Sequence, residues 1–206
     1  MLLSPCNNPI KIMGLDQYLN LRNKKYKEVC AEINAWYELS KDEQNNTPRP
    51  DWPSYHNMSD VNWKHINYKA SPLNIELIYW RKANHIHNWF VNNIQNGEDD
   101  CGDYVVTIEN LHSLYNLLKS ITSKIEIEKG SNEVIFKEDK ESVMKYCEEV
   151  LPTCSGFFFG STEYDFFYFT DIIHTVIALE EIFECIDANH ISDDSEDYAI
   201  YYSSSW

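Results

Sequence analysis

Glycine is scarce in this chain, with six in 206 residues, and basic side chains are outnumbered: 17 Lys and Arg against 33 Asp and Glu, a net charge of −16. The shortage of cations excludes direct binding to nucleic acid or to an anionic membrane surface, because both need a basic face to displace counterions. The six cysteines (Cys6, Cys30, Cys101, Cys147, Cys154 and Cys185) contain no CxxC pair and no zinc-ligand spacing, so free thiols and no metal are expected. No long uninterrupted apolar run exists. The most apolar stretch, Phe166 to Ile186, carries Asp171, His174, Glu180, Glu181 and Glu184, each costly in lipid. The opening MLLSPCNNPIKI lacks the basic start of a secretory signal, which points to a cytoplasmic location.

What is present is a foldable chain. Aromatic residues make up 14%, too many for a disordered polymer, and the length suits one domain with its own core. Gly14 to Arg22 alternates Leu15, Leu19 and Leu21 with polar neighbours and reads as a half-buried strand, Tyr18 facing the other way. Tyr26 to Leu39 has helical spacing of Val29, Ile33, Trp36 and Tyr37. The proline- and amide-rich segment 41–57 reads as a loop. Asn74 to Trp80 is a second strand by its β-branched and aromatic content.

From about Arg81 the period becomes helical. Ala83, Ile86, Trp89, Phe90 and Ile94 share one face, Asn84 and His87 flank it, and His85, Asn88, Asn92 and Gln95 point to water. EDDCGDY (98–104) is an acidic, turn-rich link. Thr107 caps a strong amphipathic helix running through Ile125. EVIF (133–136) is a short strand, and Lys140 to Val150 a helix stopped by Pro152. SGFFFGSTEYD (155–165) opens the last long helix, with Thr162 and Asp165 at capping-box spacing. Residues 187–206 hold five acids and no Lys or Arg, and read as a mobile acidic tail. The fold class is therefore α+β: a helix-rich single domain over 13–186, with a small antiparallel sheet, an inserted segment at about 24–68 and an N-terminal extension at 1–12.

Three segments concentrate the residues able to carry chemistry. In YWRKANHIHNWF (79–90), Arg81 and Lys82 fall in the first turn of the expected helix, where cations oppose the helix dipole unless an anion answers them. Asp99, Asp100, Asp165 or Glu163 would do so structurally; a bound phosphate would do so functionally. His87 has the titration range of a general base, although a histidine beside an apolar face is more often hydrogen-bonded packing. Asp99, Asp100 and Cys101 form a second group: carboxylates to share a cation, a thiol to attack, or simply turn capping. The third is the loop itself, where Ser161, Thr162, Tyr164 and Asp165 stand at a helix start and Gly156 and Gly160 free the backbone. No GKS or GKT follows, which excludes a P-loop.

MGLDQYL (from Met13), YWRKANHIHNWFV, NGEDDCGDY and SGFFFGSTEYDFFYFTDI also carry a resemblance. In order and spacing, over roughly Met13–Leu21 and Ile75–Leu179, they are similar to a family of phage- and prophage-encoded proteins without a characterised activity. The resemblance implies a viral source, an accessory role and a location in the host cell cytoplasm. It assigns no catalytic residue. Two readings follow. One is a protein that binds and inhibits a host protein, such as a defence or nucleic-acid-handling protein with a basic surface, and that needs no cofactor. The other is a pocket protein or enzyme holding a small anionic, nucleotide-like ligand between Arg81, Lys82, Asn84 and His87 and the 155–165 loop, with Asp99 and Asp100 nearby.

Overall fold

The structure, a computed structural model, describes residues 14–50, 74–128 and 130–206. The expected extension at 1–12, Cys6 and the segment 51–73 lie outside the described residues. Among those described, the elements in order are β1 (Asp16–Asn23), α1 (Tyr26–Glu38), α2 (Lys41–Asn46), β2 (Asn74–Arg81), α3 (Asn84–Asn93), β3 (Asp103–Val106), α4 (Ile108–Thr122), β4 (Ile125–Ile127), β5 (Val134–Phe136), α5 (Lys140–Val150), α6 (Phe166–Ala188) and β6 (Tyr198–Ser205). This is a helix-rich α+β domain. Its antiparallel four-stranded sheet has the order β2-β1-β6-β3, and β4 and β5 form a separate hairpin.

The two strands expected from the sequence pair with each other, from Asp16 opposite Arg81 to Arg22 opposite Asn74, with an irregularity at Leu19/Asn20. The tail is the main correction. Residues 198–205 are not mobile: they form β6, which lies between β1 and β3 and pairs with β1 along all eight positions, from Asp16↔Ser205 to Asn23↔Tyr198. The physical reason lies in YAIYYSSS, where Ile200 and Tyr202 are buried on alternate positions and supply the apolar face of a strand. Acidic residues 193–197 stand only in the turn before it.

Other boundaries moved less. Part of the segment read as a loop forms α2, because Ser40 and Glu43 make a reciprocal capping box. α4 ends at Thr122, and Ile125 belongs to β4 rather than to the helix. Asp103 and Tyr104, read as part of the acidic link, begin β3. Asp165 is itself the N-cap of α6, accepting from the Phe167 and Tyr168 amides, so Thr162 is not the capping residue.

The core is one continuous cluster. Leu19, Leu21, Ile75, Ile78, Trp80, Ile200 and Tyr202 come from one face of the sheet; Ile86 and Phe90 from α3; Leu111, Leu114, Leu118 and Ile121 from α4; and Phe169, Ile172, Val176, Leu179 and Ile182 from α6. The i, i+3, i+7 spacing in α4 and α6 puts these side chains on one stripe of each helix. Phe90 stacks flat on Tyr202, centroids 3.9 Å apart and planes 8° apart. Trp80 donates its indole N–H to Thr175 at 2.8 Å, which ties β2 to α6. Arg22, on the other sheet face, pairs with Asp103 at 2.9 Å and lies over the rings of Tyr26 and Tyr201.

Candidate functional site

β2 does not run directly into a helix. Arg81 is the last residue of β2, Lys82 takes a left-handed turn (φ 62°), and α3 begins at Asn84. Arg81 and Lys82 therefore do not sit in the first helical turn, and the expected conflict with the helix dipole does not arise. The anion that answers Arg81 is none of the four proposed from the sequence: it is Asp16, across the sheet, at 3.4 Å, which also accepts a hydrogen bond from the Tyr79 hydroxyl. The Lys82 ammonium group has no hydrogen bond or ion pair among the described residues, although its backbone bonds to Leu15 and Asn84. Two residues expected in water, His85 and Gln95, are buried, at 3% and 1% exposure.

The segments singled out in the sequence meet at one corner of the molecule, where β1 begins and β2 and β6 end. Asn84 is the staple. Its amide donates to the carbonyls of Ser161 (2.7 Å) and Phe159 (3.2 Å), and its oxygen accepts from the Cys154 amide (3.2 Å). Leu15 contributes its N–H to Phe158 and its carbonyl to the Lys82 amide (2.7 Å). Gly160, at φ +93°, passes so close to Lys82 that a Cβ would stand 3.1 Å from the Lys82 carbonyl, which explains the glycine at that position.

Beside this staple lies a buried polar chain. His87, 1% exposed, has Nε2 at 2.9 Å from Asp99 Oδ2 and Nδ1 at 2.8 Å from the Tyr202 hydroxyl. Tyr202 donates to Gln17 Oε1 (3.0 Å), and Gln17 donates through Nε2 to the Ala83 carbonyl (3.1 Å). Asp99 Oδ1 accepts from the Trp206 indole (3.1 Å). Proton bookkeeping runs backwards from Ala83: its carbonyl only accepts, so Gln17 presents oxygen to Tyr202, Tyr202 gives its single proton to Gln17, and Nδ1 of His87 must donate. Both ring nitrogens of His87 are thus engaged by partners within the fold, and neither faces a substrate or a metal.

The other sequence candidates disperse. Asp100 accepts from the Gly102 amide at 2.8 Å and shapes the turn before β3; Cys101 is exposed. Thr162 accepts through its carbonyl from Thr153, and Tyr164 packs edge-on to Tyr168 with its hydroxyl toward the Thr153 amide. Burial pushes the Cys154 thiol up to about 11, which keeps it protonated and poorly nucleophilic near neutral pH. Among the described residues no group of His, Cys, Asp and Glu could hold a metal ion, and no helix is long and apolar enough to cross a membrane.

Two concavities stand out among the described residues. One, of 360 Å³, is lined by Arg81, Lys82, His85, Ser161, Glu163, Asp165, Tyr168 and Asp171; the second, of 420 Å³, lies between β2 and α6 and shares Arg81 and Asp171 with the first. Of the residues proposed from sequence, Arg81, Lys82, Ser161 and Asp165 line the first, whereas Asn84, His87, Asp99, Asp100, Thr162 and Tyr164 do not. Sequence reading missed His85 and Asp171. Desolvation holds the His85 imidazole neutral, down to about 3, and raises the Asp171 carboxyl to about 7, with Asp165 adding to the rise. The available signal for Asp171 was a carboxylate about one turn from Tyr168 in the apolar first half of the helix.

The aromatic loop divides. Phe159 is buried, edge-on to His87, and contacts Trp206; Phe157 and Phe158 are 77% and 43% exposed, their rings 4.1 Å apart. Phe158 is held at φ 65°, a conformation that costs a β-carbon-bearing residue roughly 1–2 kcal/mol. Comparison of the chain with protein-family models, with curated proteins and with solved structures returns no match.

Proposed function

We propose that the protein is a phage-type accessory protein that binds and inhibits a host protein, and that the 155–161 loop carries the contact. The observation behind this reading is the pair Phe157 and Phe158. Two adjacent phenylalanines stand in water on a backbone fixed by Asn84, Leu15 and buried Phe159, one of them in a left-handed conformation. A loop that only capped α6 would gain by turning them inward, at about 1.5–3 kcal/mol for each ring buried. Presented rigidly, they lose little entropy on meeting a partner and suit the apolar centre of an interface. The charge of −16 selects a partner with a basic surface and speeds its approach.

The alternative, a pocket for a small anionic ligand, is favoured by the unpaired Lys82 beside a 360 Å³ cavity. It is weakened on two counts. Asn84 and His87 are saturated by protein contacts, and Glu163, Asp165 and Asp171 outnumber Arg81 and Lys82 around that cavity.

The experiment is capture from lysate of the natural host with the parent chain and with a Phe157→Ser/Phe158→Ser variant of unchanged circular dichroism. The parent retains a discrete host protein whose recovery declines as salt rises through the screening range; the variant loses it. Equal recovery by both chains removes the loop from the mechanism.

A further inference from the structure

Three polar groups that line the 360 Å³ cavity have no side-chain partner among the described residues. His85 is 3% exposed, and its Nε2 makes no hydrogen bond. Buried ring nitrogens are ordinarily paired, so an orphan on a cavity wall marks a place where a ligand atom would be bonded. The Asp171 carboxyl makes no hydrogen bond or ion pair either; burial and the neighbouring Asp165 charge raise it, and no cation of the fold offsets them. The third is the Lys82 ammonium group. These groups differ in sign by element. Lys82 and His85 bracket the start of α3, where Ala83 supplies no side chain to the first-turn amides and no acidic residue stands. That end suits an anion. Glu163, Asp165 and Asp171 come from α6 and the residues before it, and that end suits a cation. The start of α6 is closed to an anion, because Asp165 already accepts from the Phe167 and Tyr168 amides.

We propose that this cavity binds a small zwitterion of the α-amino-acid type, its carboxylate toward Lys82 and the start of α3 and its ammonium toward Asp171 and His85 Nε2. A simple anion meets three carboxylates, and a simple cation meets Lys82; a molecule carrying both charges answers each end. Among the described residues no group of His, Cys, Asp and Glu could hold a metal ion, which leaves the ammonium as the cation that fits. Burial keeps the His85 ring neutral, and a neutral imidazole has one acceptor nitrogen, so Nε2 takes an N–H without adding a repelling charge. Phe167, 69% exposed, and Tyr168 also line the cavity and offer aromatic surface to the ligand's side chain. The volume falls within the range of roughly 300–1,000 Å³ usual for small-ligand pockets. The ligand differs from the anionic one considered above in carrying both charges. Its site uses neither Phe157 nor Phe158, and its test does not depend on the host protein that loop would contact.

The test titrates the standard L-amino acids singly into the full chain, followed by calorimetry and by the imidazole nitrogen resonances of His85, assigned by their loss in His85→Phe. The amine and the acid that share the best binder's skeleton then serve as controls, each keeping one charge; for phenylalanine these are phenethylamine and 3-phenylpropionate. The expected result is saturable one-site binding of at least one amino acid, a shift of His85 Nε2 on binding, and single-charge analogues weaker by roughly tenfold or more. Lys82→Met weakens the amino acid but not the amine, and Asp171→Asn weakens the amino acid but not the acid. Phe157→Ser/Phe158→Ser leaves binding unchanged. The analogue series uses the parent chain, so a variant that fails to fold does not remove the test. No saturable binding of any amino acid overturns the proposal. So does an amine or an acid that binds as tightly as the amino acid; equal binding by the acid restores the anionic ligand. Binding that leaves the His85 Nε2 resonance unmoved places the amino acid elsewhere and likewise overturns it.

Discussion

His87 Nε2 lies 2.9 Å from Asp99 Oδ2, and the same carboxylate takes the Trp206 indole proton on its other oxygen. One side chain thus fixes both a buried ring of α3 and the residue after β6. Asp99→Ala leaves the buried His87 donor without an acceptor and releases Trp206, at an expected cost of about 2–3 kcal/mol. Asp99→Asn still offers one oxygen and costs about half as much. Urea unfolding of the three chains gives these differences, and the indole N–H resonance of Trp206, assigned by its loss in Trp206→Phe, reports the release separately.

Asn84→Ala removes two donors and one acceptor from a site 1% exposed, leaving the Phe159 and Ser161 carbonyls and the Cys154 amide unpaired. A loss on the order of 2–4 kcal/mol is expected. The same variant accelerates amide exchange throughout 154–161, and loses partner capture even where enough of the fold survives.

His85 and Asp171 give opposing pH dependences. Asp171 titrates near 7 in the folded chain against an ordinary 3.8, so the native state holds a proton that the unfolded state has released. Its contribution is complete at low pH and is lost as pH climbs from about 4 to about 7. His85 titrates near 3 against 6.5, so the unfolded state takes up the proton first, and stability falls as pH drops from about 6.5 to about 3. At about 1.4 kcal/mol per unit, each effect is of order a few kcal/mol. Asp171→Asn therefore shows stability rising with pH across that window, and His85→Phe shows it falling. Urea midpoints at unit pH steps reveal both slopes.

Deleting residues 198–206 removes a strand paired on both sides, together with buried Ile200 and Tyr202 and the partner of the Phe90 ring. The truncated chain is expected to lack a cooperative thermal transition and to be degraded by a protease that spares the full chain. Phe158→Gly works in the other direction: it relieves the φ 65° strain and is expected to hold or raise stability by up to about 1 kcal/mol, while weakening partner capture.

Periodicity carried much of the architecture. The strands at Asp16–Asn23 and Asn74–Arg81, and the helices from Tyr26, Thr107 and Lys140, were legible because each buries one clear stripe. β6 was not, since five acids before it and three serines within it masked two buried positions. At the site, proximity was legible and role was not. His87 and Asp99 do meet, but the two partners that turn them from reactive groups into structure, Tyr202 and Trp206, come from the segment read as a tail. His85 went astray because its side of α3 is covered by a second partner: its ring packs on Tyr168 of α6, centroids 4.4 Å apart, a contact across 83 positions that helical periodicity does not encode.

The insertion of β6 beside β1 also sets an order of events. Tyr202 meets Gln17 across 185 positions of sequence, so the first strand made is completed only after nearly all the intervening helices have been translated. A nascent chain with β1 and β2 in contact would keep one flank of β1 bare throughout synthesis, and the entropy of closing so long a loop slows the final step. Overproduced from a strong promoter, this protein should depend on chaperones until Tyr202 arrives, and slower synthesis or cooler growth should raise the yield of native molecules.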